Sequence, residues 1–218
     1  MNKKMLTFSF DDGVTEDRRL AALFDKYGLK ATFNLNSGRF GNGRYVTADE
    51  VRELYKNHEV AVHTVTHAAL ASLTPDEVVS QVEDDRAALE ALVGYPVVGM
   101  AYPGVRGYPL YTREVMDIVR TRTAVRYART TTHTDSFDLP ENLLELKPTT
   151  HFNQDPAHLM ELADRFIALE TEQPALFYVW GHAYELRTEE DWTTFERFCE
   201  KIAGREDIFY GTNREVLL

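Results

Sequence analysis

Two patterns of apolar residues alternate along the chain. Short runs rich in aromatic and β-branched residues, such as residues 6–10 and 176–180, are typical of buried β-strands. Between such runs, apolar residues recur at helical spacing, for example across residues 15–27, where Gly28 ends the pattern. This alternation of strands and helices predicts a parallel sheet with helices outside.

The predicted elements cover the chain with no internal repeat and no linker. Strands are predicted at residues 6–10, 31–36, 59–63, 97–102, 124–130, 143–147, 176–180 and 208–210. Helices are predicted at residues 15–27, 47–57, 74–93, 111–122, 155–170 and 189–203, and capping-box patterns open the second and third of them. About seven parallel strands fit a closed or nearly closed α/β barrel, and residues 1–218 are expected to form one domain.

Composition and charge limit the partners that this protein can have. The chain has 218 residues, 44% of them hydrophobic, and its net charge of −11 comes from 24 basic and 35 acidic residues. This balance argues against nucleic acid and anionic membranes as partners, because both require basic patches. It also weakly disfavours a strongly anionic polysaccharide as a substrate.

The apolar segments are too short for a membrane span. None approaches the roughly 18 consecutive apolar residues that a span needs. Asp11 and Asp12 interrupt the apolar run near the N-terminus, which is unlike a signal peptide, so a cytoplasmic location is expected. The single cysteine, Cys199, cannot form an internal disulfide and is expected to be a buried thiol.

A pair of carboxylates ends the first predicted strand. Asp11 and Asp12 follow the apolar run directly and precede Gly13. Neighbouring side chains on a strand point to opposite faces, but a turn at Gly13 would let both carboxylates enter one cleft. Two carboxylates so close favour a cation between them, because their charges repel. The predicted cation is a metal ion.

Two histidines supply the predicted nitrogen ligands. His63 and His67 are four residues apart, a spacing that places both on one side of either a strand or a helix. With Asp12 they would give one oxygen and two nitrogens, which suits zinc or a similar divalent ion that keeps a position open for water. The spacing alone is equally compatible with one half-exposed and one core histidine, and the carboxylate pair favours the metal site.

His182 is a candidate general acid, because it follows a buried run and Gly181 and its reference pKa lies near neutrality. The alternative is a histidine that caps the strand through hydrogen bonds. The acidic residues that could orient it and raise its pKa are Asp135, Asp138, Glu185 and Asp191. The candidate residues fall at the C-terminal ends of predicted strands, where an α/β barrel carries its chemistry.

Four motifs in order carry a resemblance to a known family. They are SFDDG at residues 9–13, HTVTH at 63–67, AYPG at 101–104 and WGH at 180–182. Together they resemble the polysaccharide deacetylase family, which is carbohydrate esterase family four or the NodB-homology domain, over about residues 5–211. The resemblance implies a distorted (β/α) barrel that hydrolyses N-acetyl or O-acetyl groups on an oligosaccharide or polysaccharide fragment. It also implies one divalent metal ion, with zinc expected before cobalt or nickel.

The resemblance also implies a role for each motif residue. Asp12, His63 and His67 match the metal ligands of the family. Asp11 matches the general base that deprotonates the attacking water, and His182 matches the acid that protonates the leaving amine. In the turn after Pro103, the backbone N–H of Gly104 matches the donor to the oxyanion.

One departure from the family pattern concerns the base. Many members carry an arginine two residues before the proline of the third motif, where this chain has Ala101. Arg129, in a strand-like segment, is a candidate for the missing guanidinium, and the alternative is an ordinary surface arginine. The candidates for contact with a sugar are Tyr102, Trp180 and His151, although aromatic residues more often serve the core. Two other functions stay open, a catalytically silent sugar-binding relative and an amide hydrolase with a non-sugar substrate.

Overall fold

The strands form one curled parallel sheet. The computed structural model describes residues 3–218. The strands are β1 (Lys4–Asp12), β2 (Ala31–Leu35), β3 (Glu59–Val62), β4 (Gly99–Ala101), β5 (Tyr127–Arg129), β6 (Thr150–His151), β7 (Ala175–Gly181) and β8 (Ile208–Tyr210). Their order is β5-β4-β3-β2-β1-β7-β6, and β8 pairs with the start of β1 beside β2. All strand pairs are parallel, which confirms the predicted distorted β/α barrel with about seven strands.

The helices lie outside this sheet. They are α1 (Asp17–Tyr27), α2 (Ala48–Leu54), α3 (Pro75–Val93), α4 (Arg113–Arg122), α5 (Pro156–Ala168), α6 (Glu189–Ile202) and α7 (Asn213–Leu217). Thr74 caps α3 by accepting from the Glu77 backbone, and Pro75 is its first residue, as the sequence pattern predicts. No helix within residues 3–218 is long and apolar enough to cross a membrane.

Aromatic side chains fill the space between β1 and the helices beside it. Phe8 of β1 lies 4.6 Å from Phe24 of α1, measured between ring centroids, and is in edge contact with Phe195 and Phe198 of α6. Cys199 is buried on the same helix, as predicted. This packing holds the C-terminal end of β1, and therefore its two carboxylates, in a fixed place.

The segment between β5 and β7 differs from its prediction. The predicted strand at residues 143–147 is wrong, since only Leu146 forms an isolated parallel bridge, with Arg129, and the regular strand is β6. Pro148 lies just after the predicted strand and has no N–H to extend the ladder. The backbone of Thr149 then donates to the Tyr178 carbonyl at 2.8 Å. Irregular chain therefore connects the two edges of the half-barrel.

Candidate active site

The C-terminal ends of the strands bring the predicted metal ligands together. The ligand atoms of Asp12, His63 and His67 lie within 4.8 Å of one another. Asp12 Oδ1 is 3.9 Å from His63 Nε2 and 3.6 Å from His67 Nε2. One oxygen and two nitrogens in this arrangement could hold a divalent metal ion with an open coordination position.

The hydrogen bonds around His63 suit a metal ligand. Its Nδ1 lies 2.8 Å from the carbonyl oxygen of Ala101, and a carbonyl can only accept, so Nδ1 carries the proton. The lone pair is then on Nε2, which is buried and has no hydrogen-bond partner in the described chain. Asp12 Oδ1 is a second buried atom without such a partner. Unpaired buried acceptors are costly, and a cation between them would satisfy both.

Left-handed backbone shapes both segments that supply ligands. Asp12 has φ 82° and Gly13 has φ 69°, so the chain turns one residue earlier than the sequence indicates. Thr64 and His67 also have positive φ, at 68° and 60°. For residues other than glycine this conformation costs about 1–2 kcal/mol each, and such strain is concentrated at functional sites.

Asp11 is enclosed by donors and cations. Its Oδ1 accepts a hydrogen bond of 2.9 Å from Asn34 Nδ2, and its Oδ2 accepts from Arg129 Nη2. Burial alone would raise the pKa of Asp11, but the Arg129 guanidinium, together with His63 and His182, lowers this pKa to about 2. Asp11 is therefore ionised at neutral pH.

Arg129 stands where the sequence departs from the family pattern. It is fully buried, and it also donates to Ser9 Oγ at 3.1 Å and to the Thr130 carbonyl at 3.0 Å. In the parallel register of β4 and β5, Arg129 lies directly opposite Ala101. The guanidinium thus comes from the neighbouring strand at the same level of the barrel. The alternative of an ordinary surface arginine is wrong.

A carboxylate joins two histidines beside Asp11. His182 Nε2 is 3.9 Å from Asp11 Oδ2, and its Nδ1 is 3.2 Å from Glu185 Oε1. The other oxygen of Glu185 is 3.1 Å from His151 Nε2, and His151 Nδ1 accepts from the backbone of Asn153. Of the four acids suggested for orienting His182, Glu185 is the one within hydrogen-bond distance.

The charges of this group favour a protonated His182. Burial lowers the pKa of His182, but its hydrogen bond to Glu185 and the charge of Asp11 raise it above the ordinary value. Burial raises the pKa of Glu185, yet the two histidines lower it to about 2. By contrast, burial and the nearby His63 lower the pKa of His67 to about 4, which keeps it neutral. The site thus contains one histidine whose pKa is raised, His182, and one whose pKa is lowered, His67.

The residues predicted to contact a sugar are mostly enclosed. Tyr102 is 1% exposed, and its hydroxyl donates to the Leu144 carbonyl at 3.0 Å. The Arg129 guanidinium lies 4.4 Å from the centroid of the Trp180 ring, and the His151 ring is in edge contact with Trp180 at 4.7 Å between centroids. Substrate contact by Tyr102, Trp180 and His151 stays a prediction, and their burial argues against it. Gly104 lies in an exposed, irregular segment after β4, and its role as oxyanion donor also stays a prediction.

Sequence reasoning missed Asn34 altogether. Its amide nitrogen also donates to Ser9 Oγ at 2.9 Å, so it connects two residues of β1 from the adjacent strand. A polar residue in the middle of the buried run 31–35 is a signal that could have found it. Only the strand register, which pairs Asn34 with Asp11, shows which residue it serves.

A comparison with protein families gives the class of the chain. The model described as polysaccharide deacetylase matches residues 1–124. This is more than half of the chain, and the chain therefore belongs to the polysaccharide deacetylase family.

Individual relatives agree with this assignment at modest identity. The Bacillus subtilis protein YxkH, named for the same family, is 27% identical over 105 residues, which are 47% of this chain and 37% of that protein. The curated relatives are longer, and this chain spans about a third of their length. Their activities therefore do not transfer directly.

Solved structures share the fold. An acetyl xylan esterase of family 4 from Clostridium thermocellum, in complex with a cobalt ion, has a TM-score of 0.62 at 18% identity and covers 98% of this chain and 90% of its own. A family 4 pseudoenzyme from Bacillus anthracis has a TM-score of 0.61 at 21% identity and covers 100% of this chain and 66% of its own. The fold thus occurs in proteins described as an esterase and as a pseudoenzyme.

Proposed function

We propose that the protein is a metal-dependent deacetylase that removes acetyl groups from an acetylated oligosaccharide or polysaccharide fragment. The observation that carries this proposal is the convergence of five groups at one end of the barrel. The ligand atoms of Asp12, His63 and His67 lie together, and Asp12 Oδ1 and His63 Nε2 are buried without a hydrogen-bond partner in the described chain. Asp11 Oδ2 lies 3.9 Å from both His63 Nε2 and His182 Nε2. An acyl-transfer hydrolase needs a base and an acid placed in this way.

Asp12, His63 and His67 would hold the ion, and we infer zinc from the donor set of one oxygen and two nitrogens. When bound, the ion would polarise the acetyl carbonyl and lower the pKa of a water molecule from about 15.7 towards 7. Two features would keep the ligands oriented. The Ala101 carbonyl accepts from Nδ1 of His63, and the left-handed backbone of Asp12 sets the direction of its side chain.

The chain's own residues would move the protons. Asp11 is ionised and can accept a proton from the attacking water, while Asn34 and Arg129 keep its carboxylate in place. The new carbon–oxygen bond forms as the carbonyl becomes an oxyanion, for which the Gly104 N–H is the proposed backbone donor. His182, protonated through its contact with Glu185, then donates its proton as the carbon–nitrogen bond breaks. The products are acetate and the free amine.

Acetate release from a defined panel tests this proposal. Acetylated chito-oligosaccharides, xylo-oligosaccharides and peptidoglycan fragments would be incubated with metal-free protein, and then with added zinc or cobalt. We expect acetate that requires the metal. Sugar binding without turnover would support the silent relative, and turnover of cyclic amides alone would support the non-sugar amide hydrolase. The complete set of Asp11, Asp12, His63 and His67 favours the enzyme.

Asp11→Asn is the matching variant. We expect it to bind zinc as the wild type does but to release acetate at least about a hundredfold more slowly, because the amide cannot accept the proton. Zinc content and acetate rate are measured on the same sample. Activity within a few fold of the wild type would exclude Asp11 as the base.

A further inference from the structure

The loop that carries two of the three ligands is held in a strained conformation. Residues 63–67 follow β3, and Thr64 and His67 in this loop both have left-handed backbone without being glycine. Such a conformation persists only when contacts around it over-determine it. The loop's own contacts are few, the clearest being the Thr64 hydroxyl, which accepts from the Ala68 backbone at 3.1 Å.

Helix α3 supplies contacts to this loop from outside the barrel. Gln81 accepts from the Val65 backbone through its main-chain carbonyl and from the Thr66 backbone through its side-chain Oε1, both at 3.1 Å. One turn later, Asp85 accepts from the His63 backbone through Oδ2 at 3.1 Å. The Val65 and Thr66 backbone donors therefore end on α3, while the His63 N–H is shared between Asp85 and the Leu35 carbonyl of β2, which lies 2.9 Å away.

Asp85 also reaches the loop that follows β2. Its Oδ1 accepts from the Ser37 backbone at 2.7 Å. The side chain is fully buried, and each carboxylate oxygen has one backbone partner. A buried charge needs such partners, and here they belong to the two loops that follow β2 and β3. Asp85 thus connects both loops through main-chain atoms and does not itself belong to the Asp12, His63 and His67 cluster.

We infer that Asp85 is a positioning residue that fixes the His63 backbone, and through it the ligand geometry of the metal site. The inference rests on the metal site of the proposed function. Asp85 lies on helix α3, outside all four sequence motifs, and it would contribute to metal affinity. Asparagine at this position would present an N–H₂ group to one of the two backbone donors, so one bond would be lost while the volume stays nearly the same.

The test compares metal binding by Asp85→Asn with that of the wild type. Zinc affinity is measured by competition with a chromophoric chelator, and the cobalt-loaded protein is examined by its visible d–d absorption. We expect about 10- to 100-fold weaker zinc binding and an altered cobalt spectrum, the range seen when residues behind the ligands are changed. Zinc affinity within twofold of the wild type, with an unchanged cobalt spectrum, would overturn the inference.

Glu59→Gln is the matched control. Glu59 is another buried carboxylate, at the opposite end of β3, and it accepts from the Arg214 backbone and the Thr32 hydroxyl, both at 2.9 Å. We expect Glu59→Gln to lower stability without moving zinc affinity by more than twofold. An equal loss of affinity in both variants would show a general structural effect and overturn the specific role of Asp85.

A milder variant covers the case in which Asp85→Asn fails to fold. Gln81→Met removes only the side-chain acceptor of Thr66 from a half-buried position. If the folded variant binds zinc several fold more weakly, helix α3 helps to hold the ligand loop in place. Unchanged zinc binding would contradict this role of α3. Absence of zinc binding by the wild type would instead contradict the proposed function, so the two failures are distinguishable.

Discussion

At the scale of single residues, neighbouring charged groups set the pKa values of the candidate acid and base. Asp11 and Glu185 have pKa values lowered to about 2 by cationic neighbours, although burial acts in the opposite direction. Between these two carboxylates, His182 has a raised pKa despite its burial. An imidazolium held in this way remains an acid at higher pH than a free histidine would.

A substitution at Glu185 tests whether this carboxylate raises the pKa of His182. Glu185→Gln keeps a hydrogen-bonding side chain but removes the charge that stabilises protonated His182. The pKa of His182 should fall, so the alkaline limb of the acetate-release profile should move to lower pH. Glu190→Gln, an exposed residue nearby with the same change in net charge, should leave the limb where it is. If the alkaline limb of Glu185→Gln stays where it is in the wild type, Glu185 does not control the pKa of His182.

At the scale of elements, strand register decides which side chains meet. Arg129 can serve Asp11 because β5 pairs with β4 so that Arg129 lies opposite Ala101. Side chains at paired positions of parallel strands point to the same face, and a guanidinium at either position can enter the barrel interior.

This register predicts what happens when the arginine is moved from position 129 to position 101. Arg129→Ala should lower the free energy of unfolding by about 3–5 kcal/mol, because it leaves the Asp11 charge buried and unpaired. It should also reduce the rate of acetate release more than substrate affinity. Ala101→Arg added to Arg129→Ala should recover part of both losses. Urea unfolding and acetate kinetics measure the effects, and a double variant no better than Arg129→Ala would refute the exchange.

The sequence predicts strands and helices well where a long apolar pattern or a capping motif marks the element. It fails where a segment pairs through only a few residues. β1, α3 and β7 agree with their predictions within two residues or so at each end, because each is a long apolar or capped run. The prediction for the region around Leu146 failed because only Leu146 forms a parallel bridge with β5, and Pro148, which has no N–H, follows two residues later. Helix α7 was missed because a five-residue helix leaves little periodic signal.

The candidate site was foreseeable only in part, for a similar reason. The clustering of Asp11, Asp12, His63 and His67 follows from motifs at strand ends, but the partners of these residues depend on the register and on helix placement. Asn34 and Asp85 act through neighbouring elements, and nothing in their own segments states which residue they contact. For Arg129 the sequence leaves two interpretations, a guanidinium for Asp11 or an ordinary surface arginine, and only the structure shows that it donates to Asp11.

At the scale of the whole molecule, the buried carboxylate of Asp17 affects the pH dependence of stability. Asp17, at the start of α1, is fully buried, and Tyr55 donates to its Oδ2 at 2.8 Å while Oδ1 has no hydrogen-bond partner in the described chain. Burial raises the pKa of Asp17 well above 3.8, although the Tyr55 hydrogen bond acts to lower it. The folded chain therefore binds this proton more tightly than the unfolded chain does.

This raised pKa predicts a pH-dependent difference between two proteins. A group whose pKa is higher in the folded state contributes stability below its unfolded pKa, and the contribution is lost as pH rises towards the folded pKa. Asp17→Asn has no such titration, so its free energy of unfolding should rise relative to the wild type as pH increases above about 4. Urea unfolding of metal-free proteins between pH 4 and 8 measures this difference, and a constant difference would contradict the prediction.

The central claim is that Asp12, His63 and His67 hold one divalent ion at the C-terminal end of the barrel. The most direct test is the number of zinc ions bound per chain after metal-free protein is loaded and dialysed. The wild type should retain about one ion, and His63→Ala should retain far less, because one of three ligands is lost. Full occupancy in His63→Ala, or no zinc in the wild type, would contradict the claim.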